Sequence, residues 1–250
     1  MELYEERLDK IIMLRKLASS RQRAEEMIKN DGVKVEGKLI FKPGKKFPID
    51  VTIEILSEEM PWVSRGALKL LKAIDLWPID IAGKLFLDIG ASTGGFTEVL
   101  IKHGVKQVFC VDVGTGQLAE KIAREDRVIN LEKTHVRDLS PAIIPELCDG
   151  CVIDVSFISL KKVFPHITHF LKPGSPIVAL VKPQFEVGKS HVGKNGIVRD
   201  KRLYGEVITS IIEAAKSCDM LYKAHAESPI LGGEGNREFL MWLVKSTDQN

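Results

Sequence analysis

The stretch Lys84–Phe96 constrains the fold of this chain more than any other part of the sequence. It reads Lys-Leu-Phe-Leu-Asp-Ile-Gly-Ala-Ser-Thr-Gly-Gly-Phe, which predicts a buried strand to Ile89, a glycine-rich turn, and a helix that runs to about His103. This order opens nucleotide-binding α/β sheets, because glycine lets the backbone approach a ligand and the helix N-terminus presents free N–H groups. The stretch therefore predicts a Rossmann-like sheet with a ligand at the turn.

The acids near this turn distinguish two kinds of cofactor. A dinucleotide fingerprint would read G-x-G-x-x-G, whereas the chain reads D-x-G-x-x-x-G-G-F, with Asp88 closing the strand. A carboxylate at this place suits the ammonium group of S-adenosylmethionine better than it suits a pyrophosphate. The next strand ends at Asp112, where such sheets hold a ribose diol. The pattern favours an S-adenosylmethionine site, with a ligand-free glycine turn as the less favoured alternative.

The positive charge of the chain is concentrated near its N-terminus. The net charge is only +2, yet residues 7–46 hold 12 Lys and Arg against 5 Asp and Glu. A small basic module of this kind is an electrostatic footprint for a polyanion, most simply a nucleic acid. Charge alone is equally compatible with a solvated surface, so both interpretations stay open at this point.

The sequence carries no signal for a membrane span, for secretion or for a metal site. No apolar run approaches the roughly 18 residues that a spanning helix needs, and the first residues are acidic where a secretory signal is basic. We therefore expect a cytoplasmic chain with reduced cysteines. Cys148 and Cys151 form an isolated C-x-x-C pair, and His166 and His169 lack a third ligand, so no metal is predicted.

Residues 1–59 predict a small α+β domain. Helical spacing indicates helices over Arg7–Leu17 and Arg21–Asn30. Ser19 and Gln22 predict a capping box at the start of the second helix, with Gln22 at its N3 position. The strands of this domain are expected at residues 33–38 and 51–56.

A short linker is expected between two domains. Acids precede Pro61, and proline interrupts regular secondary structure, so residues 60–64 are expected to form the linker and residues 65–250 the second domain. Helices of that domain are expected at 64–74, 160–171 and 202–217, besides the one after the glycine turn. Its strands are expected at 84–89, 107–112, 127–131, 150–154, 176–181, 221–225 and 239–244. This alternation, closed by a strand pair, predicts an α/β fold with a mostly parallel seven-stranded sheet and ligands at the carboxyl ends of its strands.

Two charged residues end neighbouring strands of this sheet. Asp154 and Lys182 both follow apolar runs, so both side chains should enter the crevice that holds the cofactor. A buried lysine is costly without a partner, which predicts a nearby carboxylate. The polar loop over residues 188–199, with Lys189, His191, Lys194 and Arg199, is expected to be a mobile segment on the substrate side.

The N-terminal domain resembles a small RNA-binding module, the α-L motif of a ribosomal small-subunit protein (S4). The resemblance rests on R-L-D-K, L-A-x-S-R-x-x-A, G-V-x-V-E-G and K-P-G. It implies contacts with a nucleic-acid backbone, which give affinity and register rather than sequence choice. The residues that it assigns to RNA are Arg7, Lys10, Ser19, Arg21, Gln22 and Lys34. Arg65, on the helix that follows the linker, is assigned to RNA as well.

The whole chain resembles the TlyA/hemolysin A family, in which the α-L module precedes an FtsJ-like ribose methyltransferase domain. The resemblance rests on V-S-R-G-A-x-K-L, F-L-D-I-G-A-S-T-G-G-F-T, D-V-S-F-I-S-L, V-K-P-Q-F-E and G-x-E-G-N-R-E-F-L. It implies a Rossmann-like, seven-stranded class I S-adenosylmethionine-dependent methyltransferase domain behind an S4-like domain. It also implies a catalytic tetrad, whose members are Lys69, Asp154, Lys182 and Glu238.

The resemblance also implies where the cofactor binds. It places the cofactor at Gly94, Phe96, Asp112, Asp138 and the backbone of Gly90, Ala91 and Ser92. The predicted cofactor residues also include Asp88, Gly95 and Asp154. Asp138, in the loop after the third strand, is the candidate for the adenine amino group.

The tetrad suits transfer to a ribose hydroxyl. This hydroxyl is a poor nucleophile, so an ammonium at Lys182 would stabilise the developing alkoxide while Asp154 and Glu238 orient the lysines and Lys69 positions the ribose and its phosphate. By resemblance the substrate is a cytidine in ribosomal RNA, in the large subunit with the small subunit as a further option. The alternatives are a non-catalytic protein of ribosome assembly and, less favoured, a membrane-active hemolysin.

Overall fold

The computed structural model describes residues 4–56, 60–188, 191–193, 196–232 and 235–247. The chain divides into two compact units, Met1–Pro61 and Trp62–Asn250. The division falls inside the stretch expected to be a linker, and residues 57–59, at the expected end of the first domain, lie outside the described ranges. The exact ends of the linker stay a prediction.

Within residues 4–56, the first unit forms two helices and five short strands. Its elements are β1 (Glu5–Arg7), α1 (Leu8–Leu14), α2 (Arg21–Asn30), β2 (Val33–Val35), β3 (Lys38–Ile40), β4 (Lys46–Pro48) and β5 (Ile53–Ile55). Strands β1 and β4 pair antiparallel, and β2 pairs antiparallel with β3 and β5 on its two sides. The core of this unit consists of the apolar faces of the two helices and of β2, with Leu8, Ile11, Ile12, Ala24, Ile28, Val33 and Val35.

Helix α1 is shorter than predicted. Residues Glu5–Arg7 pair as a strand with Lys46–Pro48, so the helix begins only at Leu8. It ends at Leu14 because Lys16 adopts a left-handed conformation (φ 57°), which a helix cannot continue. Strands β1 and β4 were not predicted.

Helix α2 has the predicted bounds but a different cap. Its N-cap is Ser20, whose Oγ accepts a hydrogen bond from the backbone N–H of Arg23 at 3.2 Å. The N3 position is therefore Arg23, and the capping box predicted on Ser19 and Gln22 is wrong by one residue.

The second unit is built on a seven-stranded sheet. Its elements are α3 (Ala67–Leu76), β6 (Leu85–Ile89), α4 (Gly95–Lys102), β7 (Gln107–Val111), α5 (Glu120–Ala123), β8 (Val128–Leu131), β9 (Gly150–Ile153), α6 (Leu160–Ile167), β10 (Pro176–Val181), α7 (Pro183–Glu186), α8 (Arg202–Lys216), β11 (Met220–Glu227) and β12 (Phe239–Lys245). Short 3₁₀ turns lie at Val136–Asp138 and Thr168–Phe170. The sheet order is β11-β12-β10-β9-β6-β7-β8, with β12 antiparallel to both of its neighbours and the other pairs parallel. The predicted seven-stranded, mostly parallel sheet is confirmed.

The strand order places a crevice between β6 and β9. From β6 the chain adds β7 and β8 on one side and then returns to add β9 and β10 on the other. Ligands of open α/β sheets bind outside the carboxyl ends of the strands at such a reversal. The central strands β6, β9 and β10 are buried on both faces because α3 and α4 cover one side and α6 and α8 the other.

Close packing of β9 against β6 generates a test of the fold. Gly150 pairs with Phe86, and a Cβ at position 150 would lie 2.4 Å from the fully buried Phe86 ring. Overpacking typically costs about 1–3 kcal/mol, so Gly150→Ala should lower the thermal unfolding temperature measured by circular dichroism. Gly205→Ala is the matched control, because a Cβ there meets nothing within 4 Å and alanine favours the helix by about 1 kcal/mol. Equal melting temperatures of the two variants would contradict the tight contact.

Candidate active site

Four charged side chains meet at the carboxyl end of the sheet. Lys182 Nζ lies 2.6 Å from Asp154 Oδ1, and Lys69 Nζ lies 2.7 Å from Glu238 Oε2. The two pairs are joined through Asp154, whose Oδ2 lies 3.8 Å from Lys69 Nζ. Lys69, Lys182 and Glu238 are buried, and Asp154 is half-buried. The predicted tetrad is thus one connected network of two cations and two anions.

The fold explains how residues far apart in sequence reach one place. Asp154 directly follows β9 and Lys182 directly follows β10, two neighbouring parallel strands. Glu238 directly precedes β12, which runs antiparallel to β10 with Phe239 opposite Val181. The amino end of β12 therefore lies at the same edge of the sheet as the carboxyl end of β10. Lys69 reaches the network from the first turn of α3.

Two cavities open at this edge. The turn cavity has a volume of about 420 Å³ and is lined by the glycine turn, the end of β7 and the loops after β8 and β9. The tetrad cavity, of about 250 Å³, is lined by Lys69, Asp154 and Lys182 together with the same glycine turn. Both cavities are lined by Gly90, Ser92, Asp154 and Ser156. A group bound in the first cavity would therefore lie beside the tetrad.

The glycine turn is packed tightly against its own protein. Gly90 has φ 85°, and a Cβ there would lie 2.4 Å from the backbone carbonyl oxygen of Asp154. At Gly95 a Cβ would lie 2.2 Å from Ser64 Oγ. Gly90 is therefore required by a backbone contact within the chain as well as by any ligand, and the Ser64 side chain lies against the start of α4.

The structure places most of the predicted cofactor residues around this turn. Residues that line one or both cavities are Gly90, Ala91, Ser92, Gly95, Phe96, Asp112 and Asp154. Gly94 is the N-cap of α4, with φ 91°. Asp112 joins the turn to the loop after β7, because its carboxylate accepts hydrogen bonds from the N–H groups of Ser92 (2.8 Å) and Gly114 (2.7 Å). A carboxylate has about four lone-pair sites, so Asp112 keeps acceptor capacity for a diol.

Asp88 is buried beneath the turn and lines neither cavity. Its Oδ2 accepts a hydrogen bond from Thr97 Oγ1 at 2.6 Å, while Oδ1 has no hydrogen-bond partner among the described residues. Burial raises the pKa of the Asp88 carboxyl to about 7; Thr97 opposes this rise, and the charges of Asp154 and Asp112 add to it. The side chain supports the turn from below in this geometry, and its contact with an ammonium group stays a prediction.

Asp138 also lies away from the turn cavity. Its side chain is exposed and pairs with Arg137 at 3.6 Å, whereas Thr134, His135 and Val136 from the same loop line the cavity. Contact of Asp138 with an adenine amino group stays a prediction that this side-chain orientation does not support.

Five of the predicted RNA-binding residues of the first unit contact an acidic side chain. Arg7 and Arg21 both bind the fully buried carboxylate of Asp9, with Arg7 Nη2 at 2.7 Å and Arg21 Nε at 3.1 Å from its Oδ2. Hydrogen bonds from both arginines hold the pKa of Asp9 well below its usual range, although burial opposes this. The other pairs are Lys10 with Glu6, Gln22 with Glu26 and Lys34 with Glu54. The cationic groups keep between 39% and 48% of their surface exposed, so the acids fix them without covering them.

Arg65 lies just ahead of α3, in the second unit. Its side chain is half-buried, and within the ranges that the structure describes it makes no side-chain hydrogen bond or ion pair. The residues just before Arg65, in the predicted linker, are held by a contact with α4. Glu98, buried on α4, accepts hydrogen bonds from the N–H of Val63 at 2.6 Å and from Lys121 at 2.7 Å. Residues from Trp62 onward are therefore held by the second unit.

Sequence reasoning missed several residues that shape the site. Ser156 accepts a hydrogen bond from Lys182, and Phe157 is 92% exposed with φ 65°. Both stand in the quoted D-V-S-F-I-S-L motif, whose Asp154 alone was assigned. Asp9 likewise lies within a quoted motif, R-L-D-K, and was not assigned a role. Glu98 lies outside every motif, and only its position on a buried helix face distinguishes it.

The polar loop after α7 is partly described. Asn236 accepts a hydrogen bond from the N–H of Val198 at 3.0 Å and donates one to the carbonyl of Gly196 at 2.9 Å. This ties the described part of the loop to the segment that carries Glu238. Lys189 and Lys194 lie outside the described residues, and the mobility of the loop stays a prediction.

The cysteine pair has no catalytic setting. Cys148 and Cys151 are buried free thiols, and burial raises the pKa of Cys148 to about 12. In the part of the chain that the structure describes, no group of three or more His, Cys, Asp and Glu could hold a metal ion. Within the same ranges, no helix has the length and apolar character to cross a membrane.

Comparison with known proteins agrees with this architecture. Residues 62–245 match the FtsJ-like methyltransferase family, and residues 6–51 match the S4 domain. The 16S/23S rRNA (cytidine-2′-O)-methyltransferase TlyA of Mycobacterium tuberculosis (strain ATCC 25618 / H37Rv) is 40% identical over 244 residues, which are 97% of this chain and 91% of that protein.

Solved structures extend the comparison. A candidate hemolysin from Streptococcus thermophilus is 37% identical with a TM-score of 0.78, over 98% of this chain and 90% of that one. An S-adenosylmethionine dependent methyltransferase from Mesorhizobium loti, 13% identical over 72% of this chain and 98% of its own, shares the fold with a TM-score of 0.52.

The fold and the tetrad define a class I methyltransferase domain joined to an S4 domain, as predicted. With the family match over most of its length, the chain belongs to the TlyA/hemolysin A family of FtsJ-like methyltransferases.

Replacement of Asp88 by Asn is expected to change how stability depends on pH. The pKa of Asp88 is raised in the folded state. Its contribution to the free energy of unfolding is therefore fully present below pH 3.8, its ordinary pKa, and is lost as the pH rises to about 7. In this window the group alone lowers the free energy of unfolding of the wild type by up to about 1.4 kcal/mol per pH unit. The free energy of unfolding, measured with urea at about pH 5 and about pH 8, should therefore fall less between these two pH values in Asp88→Asn than in the wild type. The same pH dependence in both proteins would contradict the raised pKa.

Proposed function

We propose that this chain transfers a methyl group from S-adenosylmethionine to the 2′-hydroxyl of a ribose in ribosomal RNA. The observation that supports the proposal most is the complete tetrad, whose cavity shares lining residues with the turn cavity. The TlyA protein named above acts on cytidine in 16S and 23S rRNA, which supports cytidine as the nucleoside here. The S4 domain supports an RNA substrate.

The turn cavity fits the cofactor by size and by its polar groups. Its volume of about 420 Å³ lies in the range of about 300–1,000 Å³ typical of small-molecule sites. Asp112 offers acceptor capacity for a ribose diol, and the left-handed Gly90 and Ser92 expose turn backbone toward the cavity. S-adenosylmethionine supplies an electrophilic methyl group on a sulfonium, which leaves as a neutral thioether.

The tetrad residues then act on the ribose. The oxygen of the attacking hydroxyl bonds to the methyl carbon as the carbon–sulfur bond breaks, and its proton passes to solvent water, so negative charge develops on the oxygen during the transfer. Lys182, which lines the tetrad cavity, stabilises that charge as an ammonium. Asp154 holds Lys182 in place, and Glu238 holds Lys69. Lys69 then positions the ribose and its phosphate.

Removal of Lys182 is the direct test of the reaction. Lys182→Ala should lower the rate of labelled methyl transfer to unmodified ribosomal subunits by about 10²–10³-fold, because one preorganised charge is lost at the reacting oxygen. Lys106→Ala is the control, since Lys106 is exposed ahead of β7, at the opposite edge of the sheet. Label should appear on ribose and not on a base. Failure of the wild type to label either subunit or free ribosomal RNA, despite binding the cofactor, would contradict the proposal.

The first unit should contribute affinity rather than chemistry. Arg21→Ala removes one exposed guanidinium, so the affinity for ribosomal RNA should fall several-fold, and the slope of log K against log salt should become shallower by about one. Filter binding over a range of salt concentrations measures both quantities. Arg124→Ala, an exposed arginine of the second unit in an i,i+4 pair with Glu120, is the matched control. An unchanged salt slope would show that Arg21 does not contact a phosphate.

A further inference from the structure

Ser156 lies at the junction of the two cavities. It follows Asp154 by two positions after β9 and lines the turn cavity as well as the tetrad cavity. Its Oγ accepts a hydrogen bond from Lys182 Nζ at 2.9 Å. Ser156 thus contacts a tetrad lysine at the place where methyl donor and acceptor must meet.

The Lys182 ammonium is held by two different kinds of partner. Its Nζ forms an ion pair with Asp154 Oδ1 at 2.6 Å that lacks hydrogen-bond geometry, whereas Ser156 Oγ accepts an N–H from it at 2.9 Å. An ammonium has three N–H groups in a fixed tetrahedral arrangement. The hydrogen bond to Ser156 therefore sets how the ammonium is rotated about the Cε–Nζ bond, and with it the directions of the other two N–H groups.

The loop that carries Ser156 is fixed at two points by one segment. Lys182 contacts Ser156, and four residues later Glu186 accepts hydrogen bonds from Ser159 Oγ (2.5 Å) and from the N–H of Leu160 (2.8 Å). Phe157, between these points, adopts φ 65°, a conformation that a bulky residue keeps only when its surroundings impose it. The position of the Ser156 hydroxyl is therefore set by the fold.

We infer that Ser156 is a positioning residue for the methyl transfer. Its hydroxyl holds the Lys182 ammonium so that the free N–H points into the tetrad cavity, toward the ribose oxygen that becomes an alkoxide. The ion pair with Asp154 keeps the charge at this place but lacks the hydrogen-bond geometry that would fix the rotation of the ammonium. The inference rests on the proposed transfer to a ribose hydroxyl and adds a neutral fifth member to the charged network.

The test compares serine variants in the methyl-transfer assay on ribosomal subunits. Ser156→Ala removes the acceptor and should lower kcat by roughly 10-fold to 100-fold, the scale of a misplaced catalytic group. The KM for RNA and the Kd for S-adenosylmethionine, measured by calorimetry, should stay within about 2-fold of wild type, because positioning acts in the transition state. Ser156→Thr keeps a hydroxyl and should recover kcat to within about 3-fold.

Ser159→Ala separates positioning from general loosening of the loop. Ser159 lies in the same loop but donates to Glu186 and contacts no tetrad residue. Its variant should lower kcat less than Ser156→Ala does. Three results would overturn the inference: full activity of Ser156→Ala, a loss confined to cofactor affinity, or an equal loss in Ser159→Ala. A wild type without methyl transfer would instead refute the proposed function, so the two failures are distinguishable.

Discussion

The position of Asp154 is the constraint on which the site depends. Its backbone N–H donates to the carbonyl of Ile89 at 2.9 Å, its own carbonyl oxygen lies against Gly90, and its carboxylate faces two lysines. One residue therefore joins the end of β9 to the glycine turn and the turn to the tetrad. Burying four charges carries a desolvation penalty of several kcal/mol for each ion, and the pairing offsets it only while the network is complete. The tetrad is thus a single structural unit.

The sequence predicted those parts of the fold that depend on local pattern. The apolar run Pro176–Val181 is a strand with the predicted bounds, and all seven strands predicted for the second unit are present. Glu238 was assigned only by resemblance, because its approach to Lys69 depends on the antiparallel register of β12 on β10. The orientation of Asp88 was missed for a simpler reason. Side chains alternate across a strand, so Ile89 faces the turn cavity while Asp88 faces α4.

The first unit shows what a count of charges does not reveal. Its excess of Lys and Arg indicated a polyanion, but the acids in the same stretch are placed as partners of those cations. Asp9 is the clearest case, because a fully buried carboxylate holds two arginines in fixed positions at the surface. Long side chains that are already ordered lose less conformational freedom when they meet a phosphate. Composition could predict that this surface is positively charged, but it could not predict that acidic partners hold the cationic side chains in fixed positions.

The tight packing of the glycine turn affects how the sequences of homologues should be interpreted. Gly90 has no room for a Cβ because the backbone carbonyl of Asp154 occupies that space, whether or not a ligand is bound. A descendant that had lost its chemistry would still need this glycine in order to fold. Its persistence in a divergent sequence therefore indicates an intact scaffold and carries no information about turnover. Lys69 and Lys182 are costly to bury, and an inactive homologue could replace them together with their acidic partners by apolar residues, so survival of the whole tetrad is the stronger sign of a working enzyme.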